Sequence, residues 1–160
     1  MSETIKPTLK LDSLSLRLWL RMLSCTKLIE NEIRSSLRES FETTLPRFDV
    51  IAQLYRYPNG LRMGEISQLL MVTNGNITGI IEQLAQEGLV DRTTDPDDRR
   101  AYVARLTAAG STAFEEMAVQ HRDWVDGLIT GLEDEEREQL FALLSKLRDL
   151  LHEKLEKEHE

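Results

Sequence analysis

From Leu11 to Ser40 the chain runs without a proline or a glycine, and Leu18, Met22, Cys25, Ile29, Ile33 and Leu37 recur along it at helical spacing. This predicts one long helix. Its first half adds Leu14, Leu16, Trp19, Leu20 and Leu23, so it is apolar around most of its circumference and needs cover on more than one side. A single small domain struggles to provide that cover, whereas a second chain can. The last predicted helix, Leu132 to about Glu156, poses the same problem. Its seam of Leu140, Leu144, Leu147, Leu151 and Leu155 is flanked by Phe141, Leu143 and Leu150. Two such helices at the chain ends suggest a homodimer built from both; the alternative is that they only pack on each other.

Between them lie shorter elements. Thr44 can cap a helix with Pro46 in its first turn, where the missing N–H does no harm, and Phe48, Ile51, Leu54 and Tyr55 fall on its inner face. The YPNG turn at 57–60 ends it. A short helix follows over Met63–Leu70, with Ile66, Leu69 and Leu70 inward, then a tight turn at Met71–Thr73 and another helix stopped by Gly88. Leu89–Thr93 and Ala101–Leu106 read as two strands joined by the turn Asp95–Arg100. Thr107 then caps a helix to about Ile129. The fold class is therefore mainly α with a small β-wing: a winged helix-turn-helix with N- and C-terminal helices forming a helical dimerisation region. Its segments are 11–43 for dimerisation, 44–106 for the winged module (recognition helix 73–87, wing 89–106), and 107–160 for the C-terminal dimerisation helices.

The helix that opens VTNGNITGII, residues 72–81, contains poor helix formers: two asparagines, two glycines and two threonines. With Thr73 as N-cap, Ile77, Ile80, Ile81 and Leu84 fall on a core face. Gly75 and Gly79 fall almost opposite, flanked by Asn76 and Thr78. Each glycine costs a surface helix about 0.5–1 kcal/mol relative to alanine, so two of them one turn apart imply that something comes very close. Asparagine, threonine and free helix N-terminal amides are the donors and acceptors that address base edges and phosphates. A helix-turn-helix presents the start of its second helix in that manner.

The formal net charge of −8 at first argues against a nucleic-acid partner. Its distribution removes the objection, because residues 1–43 carry +1, residues 44–106 carry −1 and residues 107–160 carry −8. Between Arg62 and Arg92 there is no Lys or Arg at all, and Glu82 lies on the outward side of the recognition helix. Phosphate contacts are expected from helix N-termini, Arg62 and the wing arginines, with Arg47 as a further candidate. Arg92, Arg99, Arg100 and Arg105 cluster on the ribbon, and an arginine at a hairpin tip can enter a minor groove. Asp97 or Asp98 could hold such an arginine in place through a charge-assisted hydrogen bond.

The segment LRMGEISQLLMVTNGNITGIIEQLAQEGLV, the DPDDRR turn and the following RLTAAG resemble the MarR family of winged helix-turn-helix transcription regulators over roughly residues 13–155. The most specific piece is the D-x-R motif leading into L-T-x-x-G, met by Asp98, Arg100, Leu106, Thr107 and Gly110. The resemblance implies a dimer on a pseudo-palindromic operator in double-stranded DNA, usually a repressor, released by a small molecule or oxidant. Residues 74–79 would sit in the major groove and Arg100 in the minor groove, oriented by Asp98. The expected DNA-binding set is Asn74, Gly75, Asn76, Thr78, Gly79, Arg62, Arg92, Asp98, Arg99 and Arg100.

The resemblance also implies an effector cleft between the helical region and the winged module. Trp19, Met22, Phe48, Tyr55, Phe114 and Met117 are its candidate lining, and Arg17, Arg21 or His121 could meet an anionic group. The VTNGNITG form resembles members linked to aromatic-acid catabolism, which points to an aromatic carboxylate or its coenzyme A thioester. Cys25 belongs to the apolar stripe and is expected to be a buried structural thiol rather than a redox sensor. As the only cysteine it allows no internal disulfide, which fits a cytoplasmic location. No signal peptide or membrane span is expected. His152, Glu156 and His159 share a helix face at the chain end with no further ligand, so no metal or cofactor is expected. No catalytic spacing appears, so the chain reads as no enzyme. A winged helix used for protein contact, or a redox-responsive regulator using Cys25, are the rival readings.

Overall fold

The long proline-free stretch forms α1 (Leu14–Phe41) in a computed structural model that describes residues 13–157. Ser13 caps it by accepting the Leu16 N–H at 3.1 Å, and Glu42, in the left-handed region at φ 51°, ends it. The remaining elements are α2 (Leu45–Arg56), β1 (Leu61–Arg62), α3 (Met63–Leu70), α4 (Asn74–Gln86), β2 (Val90–Thr94), β3 (Tyr102–Leu106), α5 (Ala108–Ile129) and α6 (Asp134–Lys157). The chain divides into two compact units between Trp124 and Val125, within α5. Residues 11, 12 and 158–160, including His159, lie outside the described residues.

In the first unit, the core gathers Ile33 and Leu37 of α1, Phe48, Val50, Ile51 and Leu54 of α2, Ile66 of α3, and Ile77, Ile81 and Leu84 of α4. The ribbon is a three-stranded antiparallel sheet of order β1-β3-β2 rather than the expected pair. Arg62 pairs with Val103 and Val90 with Leu106. β1 is only two residues long, so it leaves no alternating pattern to read. Two expected core positions are corrected: Leu69 is 44% exposed, and Tyr55 turns outward to donate to Glu115 at 2.9 Å.

The L-T-x-x-G piece is a weld between the wing and α5. Thr107 Oγ1 donates to the Gly88 carbonyl at 2.7 Å and accepts the Gly110 N–H at 3.0 Å, while the Thr107 N–H reaches the Leu89 carbonyl at 3.1 Å. A Cβ on Gly110 would lie 2.0 Å from the Leu89 carbonyl oxygen, so only glycine fits this approach.

Where α1 meets α2, Asp49 is partly buried and its carboxyl is pushed up to about 6, first by burial and then by the nearby charge of Glu30. Between pH 3.8, its ordinary value, and about 6 the folded state holds the extra proton. Stability therefore falls as pH rises through that window and stays lowered above it. Asp49→Asn should raise stability at pH 7 by about 1 kcal/mol, after discounting for the solvent that reaches the group, and flatten this pH dependence. Melting curves for both proteins across the window check it; parallel pH profiles would refute it.

The second unit holds the end of α5 and α6. Asp134, Glu135 and Glu136 open α6, where the helix dipole favours them, and Lys154 and Lys157 close it. None of its residues is buried, and Phe141 is 75% exposed.

Candidate nucleic-acid interface

Helix α4 is built by local sequence. Thr73 takes an extended conformation, and its carbonyl accepts the N–H groups of Asn76 and Ile77 at 3.2 and 3.3 Å. Its side chain makes no capping bond, so the first turn keeps amides that a partner can satisfy. Met71, in the left-handed region at φ 54°, turns the chain from α3 into α4. The inner face of Ile77, Ile80, Ile81 and Leu84 is buried, as periodicity predicts. Asn74, Gly75, Asn76, Thr78 and Gly79 are all exposed. A Cβ added at Gly75 or Gly79 would meet nothing within 4 Å, so no neighbour in the chain calls for glycine there. Thr78 Oγ1 donates to the Asn74 carbonyl at 3.0 Å, which leaves its lone pairs for an outside donor.

The wing turns through a short hydrogen-bonded loop. The Asp95 N–H donates to the Ala101 carbonyl at 2.9 Å, and the Ala101 N–H to the Asp98 carbonyl at 2.9 Å. Asp98 Oδ1 accepts the backbone N–H of Arg100 at 3.0 Å. The expected Asp98 bond thus goes to the main chain and not to the guanidinium. Asp98 sets the loop from which Arg100 projects. Arg99 and Arg100 are both exposed, and their guanidinium groups have no partner among the described residues.

The other arginines are committed. Arg92 lies 3.5 Å from Glu82 and 5.3 Å from the centre of the Tyr102 ring, so it neutralises the one acid on the outer face of α4. Arg105 Nε donates to the Asn59 carbonyl at 2.6 Å and supports the turn before β1. Arg47 donates to Thr43 at 3.2 Å and to Glu87 at 2.8 Å in a forked pair, tying the start of α2 to the end of α4. In the free chain Arg47 and Arg105 therefore serve as structural ties. Arg62 is bonded through Nε to Asp95, an acid that is itself 4% exposed. Sequence reasoning placed Asp95 only in the turn; its partner is 33 residues away, and no local pattern announces it.

Of the effector candidates, Phe48, Tyr55, Phe114 and His121 come together along α2 and α5. Phe48 lies 4.7 Å from His121 and 5.7 Å from Phe114, and Tyr55 lies 4.6 Å from Phe114, centre to centre. Burial holds the His121 imidazole below its ordinary pKa. Met117 is buried and also lines a cavity of about 480 Å³ with Phe41, Ile51, Arg47, Glu87 and Leu89. Arg17, Trp19 and Arg21 lie on exposed turns of α1, with Met22 half-buried beside them, and Trp19 makes no ring contact with the α2–α5 set. Cys25 is exposed, which corrects its expected burial: its stripe belongs to the part of α1 that has no cover within its own unit. Among the described residues no cluster could hold a metal ion, and no helix is long and apolar enough to cross a membrane.

Known proteins resemble the chain in sequence and in fold. The sequence profile of the MarR family matches residues 43–102. YkoM of Bacillus subtilis strain 168, an uncharacterised HTH-type transcriptional regulator, is 33% identical over 118 residues, 73% of this chain and 74% of that protein. A MarR family transcriptional regulator from Silicibacter pomeroyi has a TM-score of 0.73 at 31% identity, covering 86% of this chain and 94% of that one. A cysteine mutant of MarR from E. coli, solved in complex with operator DNA, has a TM-score of 0.73 over 85% of this chain and 99% of that one; at 21% identity this is a likeness of fold.

Proposed function

The chain belongs to the MarR family of DNA-binding transcription regulators, and from that premise we propose that it acts as a homodimer on a pseudo-palindromic operator, as a repressor released by a small effector. The observation that carries this reading is the outer face of α4, cleared of side chains at Gly75 and Gly79, beside a wing whose tip holds two uncommitted arginines. Residues 74–79 then enter the major groove while Arg100 reaches the minor groove. With no cation on α4, one subunit grips weakly, and two subunits on one duplex supply the affinity. Dimerisation falls to residues 11–43 and 107–160. Its support is the unburied apolar surface of each unit taken separately: Trp19 is 53% exposed on α1, and α6 buries none of its leucines.

The effector reading is supported by the cavity beside Met117, whose volume suits a small molecule; its Arg47 is already paired with Glu87, so an anion there has to displace that carboxylate. A single aromatic carboxylate fits that space; a coenzyme A thioester would have to leave its nucleotide part outside. Sedimentation of the purified chain, with binding to palindromic duplexes from the neighbouring intergenic region in the presence and absence of benzoate, tests all three elements. A dimer that protects one palindrome and lets go on titration is expected. A monomer at micromolar concentration, or equal binding to every duplex, would refute the assembly and operator claims; a complex and a melting temperature both indifferent to benzoate would remove the effector claim.

A further inference from the structure

A buried carboxylate next to a phosphate-binding surface is an electrostatic liability, and Asp95 is such a group. It follows β2 at the base of the wing tip, and its side chain is 4% exposed against 49% for Arg62. Asp95 Oδ1 accepts the Asp97 N–H at 2.8 Å, and Oδ2 takes the Nε of Arg62. Arg62 itself ends β1 and precedes α3, where its backbone N–H donates to Glu65 at 2.7 Å. One carboxylate therefore joins the wing tip to the start of α3. These bonds, first the one from the Asp97 N–H and then the one from Arg62, hold its pKa below the usual carboxylate range, so it stays charged.

With Nε taken, Arg62 keeps four N–H donors on its two terminal nitrogens. The side chain lines a groove of about 470 Å³, together with Gln68, Asp98 and Arg100. We propose that Asp95 is a positioning residue for DNA binding: it locks Arg62 against the wing so that the outer N–H groups of Arg62 and the Arg100 side chain flank one groove for a backbone phosphate. The proposal rests on the reading that the wing meets DNA. It is specific in sign. If Arg62 acted only as a free cation, removing the nearby negative charge would tighten DNA binding. If Asp95 positions it, the same change loosens binding, because an unfixed arginine must lose side-chain freedom on contact.

The test compares wild type, Asp95→Asn, Arg62→Lys, the double variant and Arg100→Ala on one operator duplex, by fluorescence anisotropy across a range of salt. Melting curves accompany each protein. Asp95→Asn is expected to weaken binding about tenfold and to reduce the salt slope by about one per subunit. Arg62→Lys keeps the charge but lacks the fork that bonds carboxylate and phosphate together, so it should lose a similar amount. The double variant should be no worse than either single one. Wild-type or tighter binding by Asp95→Asn, with binding lost in Arg100→Ala, overturns the proposal alone. Full binding by Arg100→Ala overturns the underlying wing reading and the proposal with it. Should Asp95→Asn fail to melt cooperatively, Arg62→Lys decides: unchanged affinity and slope reject the positioning role.

Discussion

Arg100→Ala is expected to lower operator affinity about a hundredfold while leaving the melting temperature unchanged. The first half of that result follows from number and place. A dimer presents two such side chains, and each arginine that reaches bases or groove contributes about 1–3 kcal/mol. The second half follows from the free protein, where the Arg100 guanidinium has no partner among the described residues to lose. Only its backbone N–H is used, in the bond to Asp98, and alanine keeps that N–H. The neighbouring arginines give the contrast. Arg105→Ala removes the tie to the Asn59 carbonyl, and Arg47→Ala strands Glu87, so both should appear mainly as lost stability. Anisotropy at fixed salt, with a melting curve on the same samples, checks the pattern. A loss of less than about threefold for a folded Arg100→Ala protein would remove the wing tip from the interface.

That division among arginines marks what the sequence could and could not display. The burial of Ile77, Ile80, Ile81 and Leu84 follows from one local period, and so does the exposure of Gly75 and Gly79. Charge roles depend instead on which segments meet. Arg47 finds Glu87 forty residues on and Arg62 finds Asp95 thirty-three residues on, so neither pairing is written in any short window. Strand β1 was illegible for a related reason, since two residues cannot alternate and its identity comes only from pairing with β3. Leu69 and Cys25 show the limit of periodicity itself. Each sits where an apolar stripe predicts burial, but α3 is too short to cover its own end, and the first half of α1 has no cover in its unit. The Leu106–Gly110 motif was legible as a family mark; its cause, the 2.0 Å gap at Gly110, lay in the approach of a distant carbonyl.

Replacing Gly75 and Gly79 together by alanine should move stability and DNA binding in opposite directions. In the free chain each methyl enters open space; Gly79 lies in the helix interior, where replacing glycine stabilises by about 0.5–1 kcal/mol, and Gly75, in the first turn, adds less. The folded state should therefore gain roughly 1 kcal/mol, a rise of a few degrees in melting temperature. On DNA, by the proposed reading, the same methyls lie one turn apart on the face between Asn74, Asn76 and Thr78, where close backbone approach would bring those side chains to the base edges. Four methyls in a dimer would lift both recognition helices away, and a loss of at least about a hundredfold is expected, on the order of 1–3 kcal/mol per disturbed set of base contacts. The two signs separate the causes, because a variant that bound poorly through misfolding would also melt early. A protein that melts higher and still binds the operator as wild type does would show that the glycines serve no approach. The outer face of α4 would then have to read DNA through its asparagines alone.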